Sequence, residues 1–190
     1  MRTVTYGAAC SLDGFIAGPN GEIDWLHMSS DAAAIMAEYW RTIDTILMGR
    51  RTWDFSVAMG AGGSKGMSTY VFSRTLESID RAGVQLVTED AGEFVRRLKA
   101  AEGKGICVMG GGDFARSLQD AGVIDEIGLN IHPILLGSGI PLFRSSAQRA
   151  ALELAECRPI GGGCVHVRYR VRQRQEVVRK RRSRARTSAE

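Results

Sequence analysis

Two short segments hold the residue types that bind phosphate. In MGRRTW, Met48 to Trp53, an apolar run ends at Gly49 and is followed by Arg50, Arg51 and Thr52. In MGGGDF, Met109 to Phe114, the three glycines Gly110, Gly111 and Gly112 precede Asp113 and Phe114. Where a strand ends in glycine and a helix begins, backbone N–H groups are unpaired and the helix dipole is positive. Glycine also lets an anion reach the backbone. Arginine at a helix start opposes the dipole, so an anion shared by the dipole and Arg50 or Arg51 is favoured. Neither segment is G-x-G-x-x-G, and no P-loop Gly-Lys-Ser/Thr occurs. Taken singly, each also reads as a bland feature: a tight turn, or a solvated arginine pair.

Other reactive residue types are scattered. The four cysteines (Cys10, Cys107, Cys157, Cys164) include no C-x-x-C, and with three isolated histidines (His27, His132, His166) they give no metal-ligand spacing. Buried thiols in a reduced, cytoplasmic protein are the expectation. No apolar stretch suits a signal peptide or a membrane span.

The elements that must position the two segments follow from periodicity. Thr3 to Ala9 alternates as a strand, and Ser11 to Gly21 is a Gly/Asp/Asn/Pro loop with room for a short extended piece. Ser29 or Ser30 caps a helix whose apolar face is Ala32, Ile35, Met36, Tyr39 and Trp40. Buried strands are predicted at Thr45–Met48, Thr69–Phe72, Val84–Val87 and Ile106–Met109. Helices are predicted from near Arg51 to Met59, around Phe94–Ala101, and after Gly112 with Gly122 beyond the last turn. Three strand-like stretches without helices close the pattern: Ile127–Ile131, Leu152–Leu154 and Cys164–Val171, the last two joined across the glycines 161–163. This order predicts an α/β fold with a mostly parallel mixed sheet finished by antiparallel C-terminal strands.

MGRRTW, YVFSRTL and VMGGGDF, in that order, resemble the dihydrofolate reductase superfamily. SLDGFIAGPNGEIDW and DEIGLNIHPILLGSGIPLF are more similar to the stand-alone reductase domain of bacterial riboflavin biosynthesis. The resemblance runs from Thr3 to Val171 and implies a dihydrofolate-reductase-like three-layer sandwich that uses NADPH. By that resemblance Gly49, Arg50, Arg51, Thr52, Ser73 and Arg74 hold the adenosine 2′-phosphate. Gly110, Gly111, Gly112, Asp113 and Phe114 cradle the pyrophosphate. Arginine suits a phosphate monoester better than lysine does, which agrees.

The substrate side departs from both relatives. The dihydrofolate reductase carboxylate falls near Ala33, and the nearest acid is Asp31 at the helix start, which also reads as a dipole residue. Met109 stands where riboflavin reductases carry Glu. Asp13 is a candidate substrate contact, or an Asp-Gly turn. Asp24 and Trp25 are candidate pocket walls, although core packing is the commoner role for a tryptophan. His27 could donate a proton by type, but reads first as a solvent-facing loop histidine, and LLGSG, Leu135 to Gly139, is a turn or a rim loop. The resemblance also implies a homodimer pairing through the late strands.

The +4 net charge is uneven. From Arg172 to Glu190, eight Lys/Arg face two Asp/Glu, a net of +6; the first 171 residues keep 17 against 19, a net of −2. Domain limits of 1–171 for the reductase-like body and 172–190 for a basic tail follow. Nucleic-acid binding can rest on that tail alone, through RKRRSRAR, which has no aromatic residue for stacking. No zinc-deaminase signature, H-x-E with P-C-x-x-C, is present. The sequence thus supports an NADPH-dependent reductase of a small pterin- or ribosylaminopyrimidine-like heterocycle. A nucleotide-binding module without turnover and a basic-tailed nucleic-acid binder are the alternatives.

Overall fold

Strand and helix alternate along the chain because buried β-branched and aliphatic runs alternate with segments of helical period. The computed structural model describes residues 1–63, 66–146 and 149–172; the tail cluster RKRRSRAR lies outside them. β1 (Val4–Ser11) and the short β2 (Phe15–Ala17) lead to α1 (Ser30–Arg41), β3 (Ile43–Gly49), α2 (Arg50–Ala58) and β4 (Ser68–Phe72). Then come β5 (Val84–Val87), α3 (Ala91–Ala100), β6 (Gly105–Met109), α4 (Gly112–Asp120) and β7 (Glu126–His132). β8 (Ile140–Pro141), β9 (Ala151–Ile160) and β10 (Cys164–Arg172) finish the described chain. Among the described residues no helix is long and apolar enough to cross a membrane.

The strands form one eight-stranded sheet in the order β5-β4-β3-β6-β1-β7-β10-β9. The first six in that order run parallel, and β10 and β9 are antiparallel, as the sequence predicts. The extended piece within the Ser11–Gly21 loop is β2, which pairs with β8 outside the main sheet.

Alternation sorts the side chains into two cores. Val4, Tyr6 and Cys10 of β1 pack with Val95 of α3 and Ala115 and Leu118 of α4 on one face. Ile46 and Met48 of β3 pack with Trp53 of α2 and Tyr39 and Trp40 of α1 on the other. Burying side chains of this size stabilises the fold by roughly 1.5–3 kcal/mol each. The result is helix, sheet, helix in three layers.

Two features of this framework position the site. The chain leaves β3 through α2 on one face and leaves β6 through α4 on the other, although β3 and β6 are neighbours. Their carboxyl ends therefore flank the point where the winding reverses, where open α/β sheets bind ligands. The register of β7 is set by Asp125, whose Oδ2 accepts from the Val4 N–H at 2.9 Å and whose own N–H donates to Val4 O at 2.9 Å. Lys99, buried in α3, holds that carboxylate with its Nζ 2.7 Å from both oxygens. This pins Gly128 of β7 beside Gly7 of β1.

Candidate functional site

The two phosphate-type segments stand side by side. A Cβ on Gly49 would lie 3.2 Å from the Phe114 Cβ, and Cβ atoms on Gly110 and Gly111 would lie 3.2 and 3.3 Å from the Thr52 Oγ1. Gly110 (φ 61°) and Gly111 (φ 75°) occupy the left-handed region that favours glycine. Thr52 thus fills the seam between the junctions, and a side chain on the glycine turn would be strained and crowd Thr52.

The helix starts differ in a way that bears on anions. α1 is capped by Ser29, whose Oγ accepts from the Ala32 N–H at 3.1 Å, and α3 by Asp90, whose Oδ1 accepts from the Glu93 N–H at 2.9 Å. α2 and α4 begin at Gly49 and Gly111 with no side-chain cap. Their first N–H groups are left to solvent or a ligand.

Arginines gather around these starts. Arg50 is tied to Asp54 one turn on, Nε to Oδ2 2.7 Å. The Arg51 side chain is 88% exposed and stands 3.9 Å from Asp113, a surface contact of little energetic weight. Arg144, which no sequence signal marked, holds the same carboxylate with its Nε at 2.9 Å. Two guanidinium groups therefore meet one carboxylate at the start of α4, leaving net positive charge there. Arg74 is exposed, two residues past the end of β4, and Phe72 at that end is paired with Gly49. Ser73 is buried and its Oγ accepts from the N–H groups of Thr75 and Leu76 at 3.2 and 3.0 Å, so it shapes the turn that presents Arg74.

From this corner a cleft of about 1300 Å³ runs under α1 and along the face of β1, β7 and β10. Arg51, Thr52, Gly110 to Asp113, and Arg144 line its junction end. Met109, partly buried against the α1/α2 core, also lines it.

The substrate-side candidates fall elsewhere. The Asp13 carboxylate accepts from Ser11 Oγ at 2.6 Å and from the N–H groups of Leu136 and Gly137 at 3.2 and 2.8 Å. Those bonds hold its proton affinity below the ordinary carboxylate range, the Ser11 hydroxyl contributing most. They make Asp13 a clamp between its turn and the LLGSG loop. Asp31 Oδ2 accepts from the Gly161 N–H at 3.1 Å and ties α1 to the β9–β10 turn. Trp25 does not line the cleft; it packs edge-on against His132 at 5.3 Å, and His132 does line it. His27 lines the cleft beside Gly162. His132 is buried, its Nδ1 is 3.4 Å from the Cys164 Sγ, and burial lowers its proton affinity.

Sequence reasoning passed over Asn130 and His166, which line the same cleft and are hydrogen-bonded to each other. The alternation in β10 put His166 and Arg168 on one face. Only the sheet order shows that this face borders a cavity.

Comparison with known proteins agrees with this architecture. The uncharacterized protein YyaP of Bacillus subtilis (strain 168) is 34% identical, over 89% of this chain and 95% of its own length. A Shewanella sp. PV-4 protein, described as a candidate riboflavin biosynthesis protein, superposes with a TM-score of 0.77 at 24% identity, covering 90% of this chain and 100% of that one. Dihydrofolate reductase from Enterococcus faecalis, solved with NADP(H) and RAB-propyl, superposes with a TM-score of 0.65 at 17% identity, covering 90% of this chain and 97% of that one. The fold is thus dihydrofolate-reductase-like. The model of the RibD C-terminal domain matches residues 2–166, taking in both glycine junctions and nearly all of the described sheet. The chain belongs to the RibD C-terminal domain family.

Proposed function

We propose that the protein is an NADPH-dependent reductase of a small heterocyclic substrate, pterin- or ribosylaminopyrimidine-like. The observation that carries this reading is the pair of uncapped helix starts, α2 and α4, side by side at the winding reversal and opening into one cleft. Two phosphate-sized anions need two such starts. The glycine turn, which a Cβ would fill, suits the pyrophosphate, and Arg51 and Arg74 suit the 2′-phosphate. Family membership and the Enterococcus reductase solved with NADP(H) support the same assignment.

When bound, the nicotinamide supplies a hydride equivalent. The chain's own work is positioning. The N–H groups of α2 and α4 orient the anionic end, and Asp13 and Asp31 fasten the LLGSG loop and the β9–β10 turn. The cleft walls hold the acceptor against the cofactor site and keep water out. Two copies pair through β9, a ten-residue edge strand with Leu152 and Leu154 exposed, which sedimentation tests directly.

Calorimetric titration with NADPH and NADH, followed by NADPH consumption against pterin, pyrimidine and quinone-like acceptors, tests the proposal. Tighter NADPH binding and oxidation by one heterocyclic class are expected. Failure to bind either cofactor overturns the reading. Binding without oxidation by any acceptor assigns a nucleotide-binding module instead.

A further inference from the structure

Pro141 and Leu142 run directly over the start of α4. A Cβ on Gly112 would meet the Pro141 carbonyl oxygen at 2.5 Å and that of Leu142 at 3.2 Å, so the segment above requires this glycine. That segment is anchored. Leu142 is buried, its N–H donates to Gly14 O at 2.8 Å, and its carbonyl accepts from the hydroxyl of buried Tyr6 at 3.0 Å. Pro141 pairs with Phe15 of β2, and the Phe143 ring packs edge-on against Tyr6 at 5.7 Å. Beyond Arg144, Ser145 O accepts from the Arg116 guanidinium of α4, and the Ser146 hydroxyl donates to Asp120 Oδ1 at 3.1 Å. Arg144 is therefore brought to the glycine turn by backbone fastened on both sides of it.

At that place the chain supplies an anion of its own. Arg144 Nε stands 2.9 Å from Asp113 Oδ1 and its Nη2 donates to Oδ2 at 3.4 Å, while Arg51 approaches the same carboxylate from α2 at 3.9 Å. A carboxylate in the first turn suits the helix dipole, but it repels a diphosphate. The Asp113 backbone N–H can serve such a ligand; its side chain cannot. The neighbouring arginines are committed within their own helices, Arg116 to Asp120 at 3.0 Å and Arg50 to Asp54 at 2.7 Å. Arg144 meets Asp113 through its Nε–Nη2 edge, so Nη1 is not spent on it, and the residue lines the cleft together with Gly110, Gly111 and Gly112. The Arg144 and Asp113 side chains are 44% and 67% exposed, and a pair so exposed is weakly held.

We propose that Arg144 is a ligand of the cofactor's pyrophosphate, and that Asp113 is the internal anion it exchanges for that ligand. A diphosphate brings more charge and more acceptor oxygens than one carboxylate, and the planar guanidinium matches pairs of such oxygens. Arg144 then reads a part that NADPH and NADH share, whereas Arg51 and Arg74 read the 2′-phosphate that only NADPH carries. This inference rests on the reading that the two glycine junctions bind NADPH.

Calorimetric titration of the full chain with NADPH and with NADH, for wild type, Arg144→Ala and Asp113→Asn, is the test. Arg144→Ala should weaken both cofactors by the same factor, about 10- to 150-fold, as loss of one hydrogen bond to a charged group predicts. Asp113→Asn breaks the same ion pair but keeps the guanidinium. It should tighten both cofactors about 1.5- to 5-fold, because the exposed pair no longer competes. The two variants therefore move affinity in opposite directions, which a purely structural ion pair would not do. Melting curves establish that each variant is folded. Unchanged affinity in Arg144→Ala, or a loss confined to NADPH, overturns the inference and leaves the reductase reading standing, since wild type still binds. Weaker binding in both variants would assign the ion pair to holding the β8–β9 segment, which also overturns it, and wild-type affinity in Asp113→Asn would refute the exchange. If wild type binds neither cofactor, the reductase reading falls first.

Discussion

Gly7→Ala should stabilise the fold and damage the site at once. Gly7 lies inside β1 with an ordinary φ, and the added Cβ would meet nothing within 4 Å. Glycine in a strand is roughly 0.5–1 kcal/mol less favourable than alanine. For a chain of this length that gain raises the melting temperature by about 1–4 °C. The same methyl group would stand on the cleft floor, where a bound ring must then lift or tilt. Overpacking of this kind costs about 1–3 kcal/mol, so acceptor affinity should fall about 5- to 150-fold. Gly112→Ala is the control, since its Cβ would stand 2.5 Å from the Pro141 carbonyl oxygen and 3.2 Å from that of Leu142. Backbone atoms of β8 cannot give way as a side-chain tip can, so that variant should melt lower than wild type. Scanning calorimetry and pterin fluorescence titration read both quantities. If Gly7→Ala melts below wild type, the space above it is not open. If it binds pterin as wild type does, nothing uses that space.

Three further outcomes are expected. Arg51→Ala and Arg74→Ala should each weaken NADPH about 10- to 150-fold and leave NADH nearly unchanged, as loss of one hydrogen bond to a charged phosphate predicts. Arg50→Ala should do less, because Asp54 already holds that side chain; equal losses for both cofactors would mean that the arginines serve the fold. Burial pushes the proton affinity of Asp44 up, but the Lys104 N–H, the Thr45 hydroxyl and the Arg2 guanidinium outweigh it and hold it below the usual range. Its stabilising contribution is therefore present above about pH 3.9 and lost as pH falls through the lower folded value; urea midpoints on the acid side should fall less steeply for Asp44→Asn than for wild type. An aromatic disulfide reagent should titrate Cys157, on the edge strand β9, before the other three thiols, at a rate that rises as the protein is diluted and β9 is freed; the other three should react only after unfolding. Cys157 is exposed, whereas Cys10, Cys107 and Cys164 are buried, with burial pushing Cys10 and Cys107 up to about 11; rapid modification of two or more thiols in the native protein would contradict this.

What was legible in the sequence is what short-range chemistry dictates. β3–α2 and β6–α4 were readable because an apolar run, a glycine and a helical period follow one another within about fifteen residues. Ser29 was readable as a cap because its hydroxyl serves a backbone N–H three residues on. The antiparallel finish was readable because β9 and β10 alternate with period two and meet across three glycines. The partners of Asp13 were not readable: its carboxylate is spent on N–H groups 123 and 124 residues away. Nor was Arg144, whose segment has no periodicity and which reaches Asp113 from 31 residues beyond it. Asn130 and His166 were hidden for a subtler reason. Period two says which residues of one strand share a face, but not which strand lies alongside, nor at what register. Sheet order and the Asp125 pin decide that, through hydrogen bonds between backbones distant in the chain. The phosphate-binding corner is thus written locally, whereas the acceptor pocket exists only once the strands are paired.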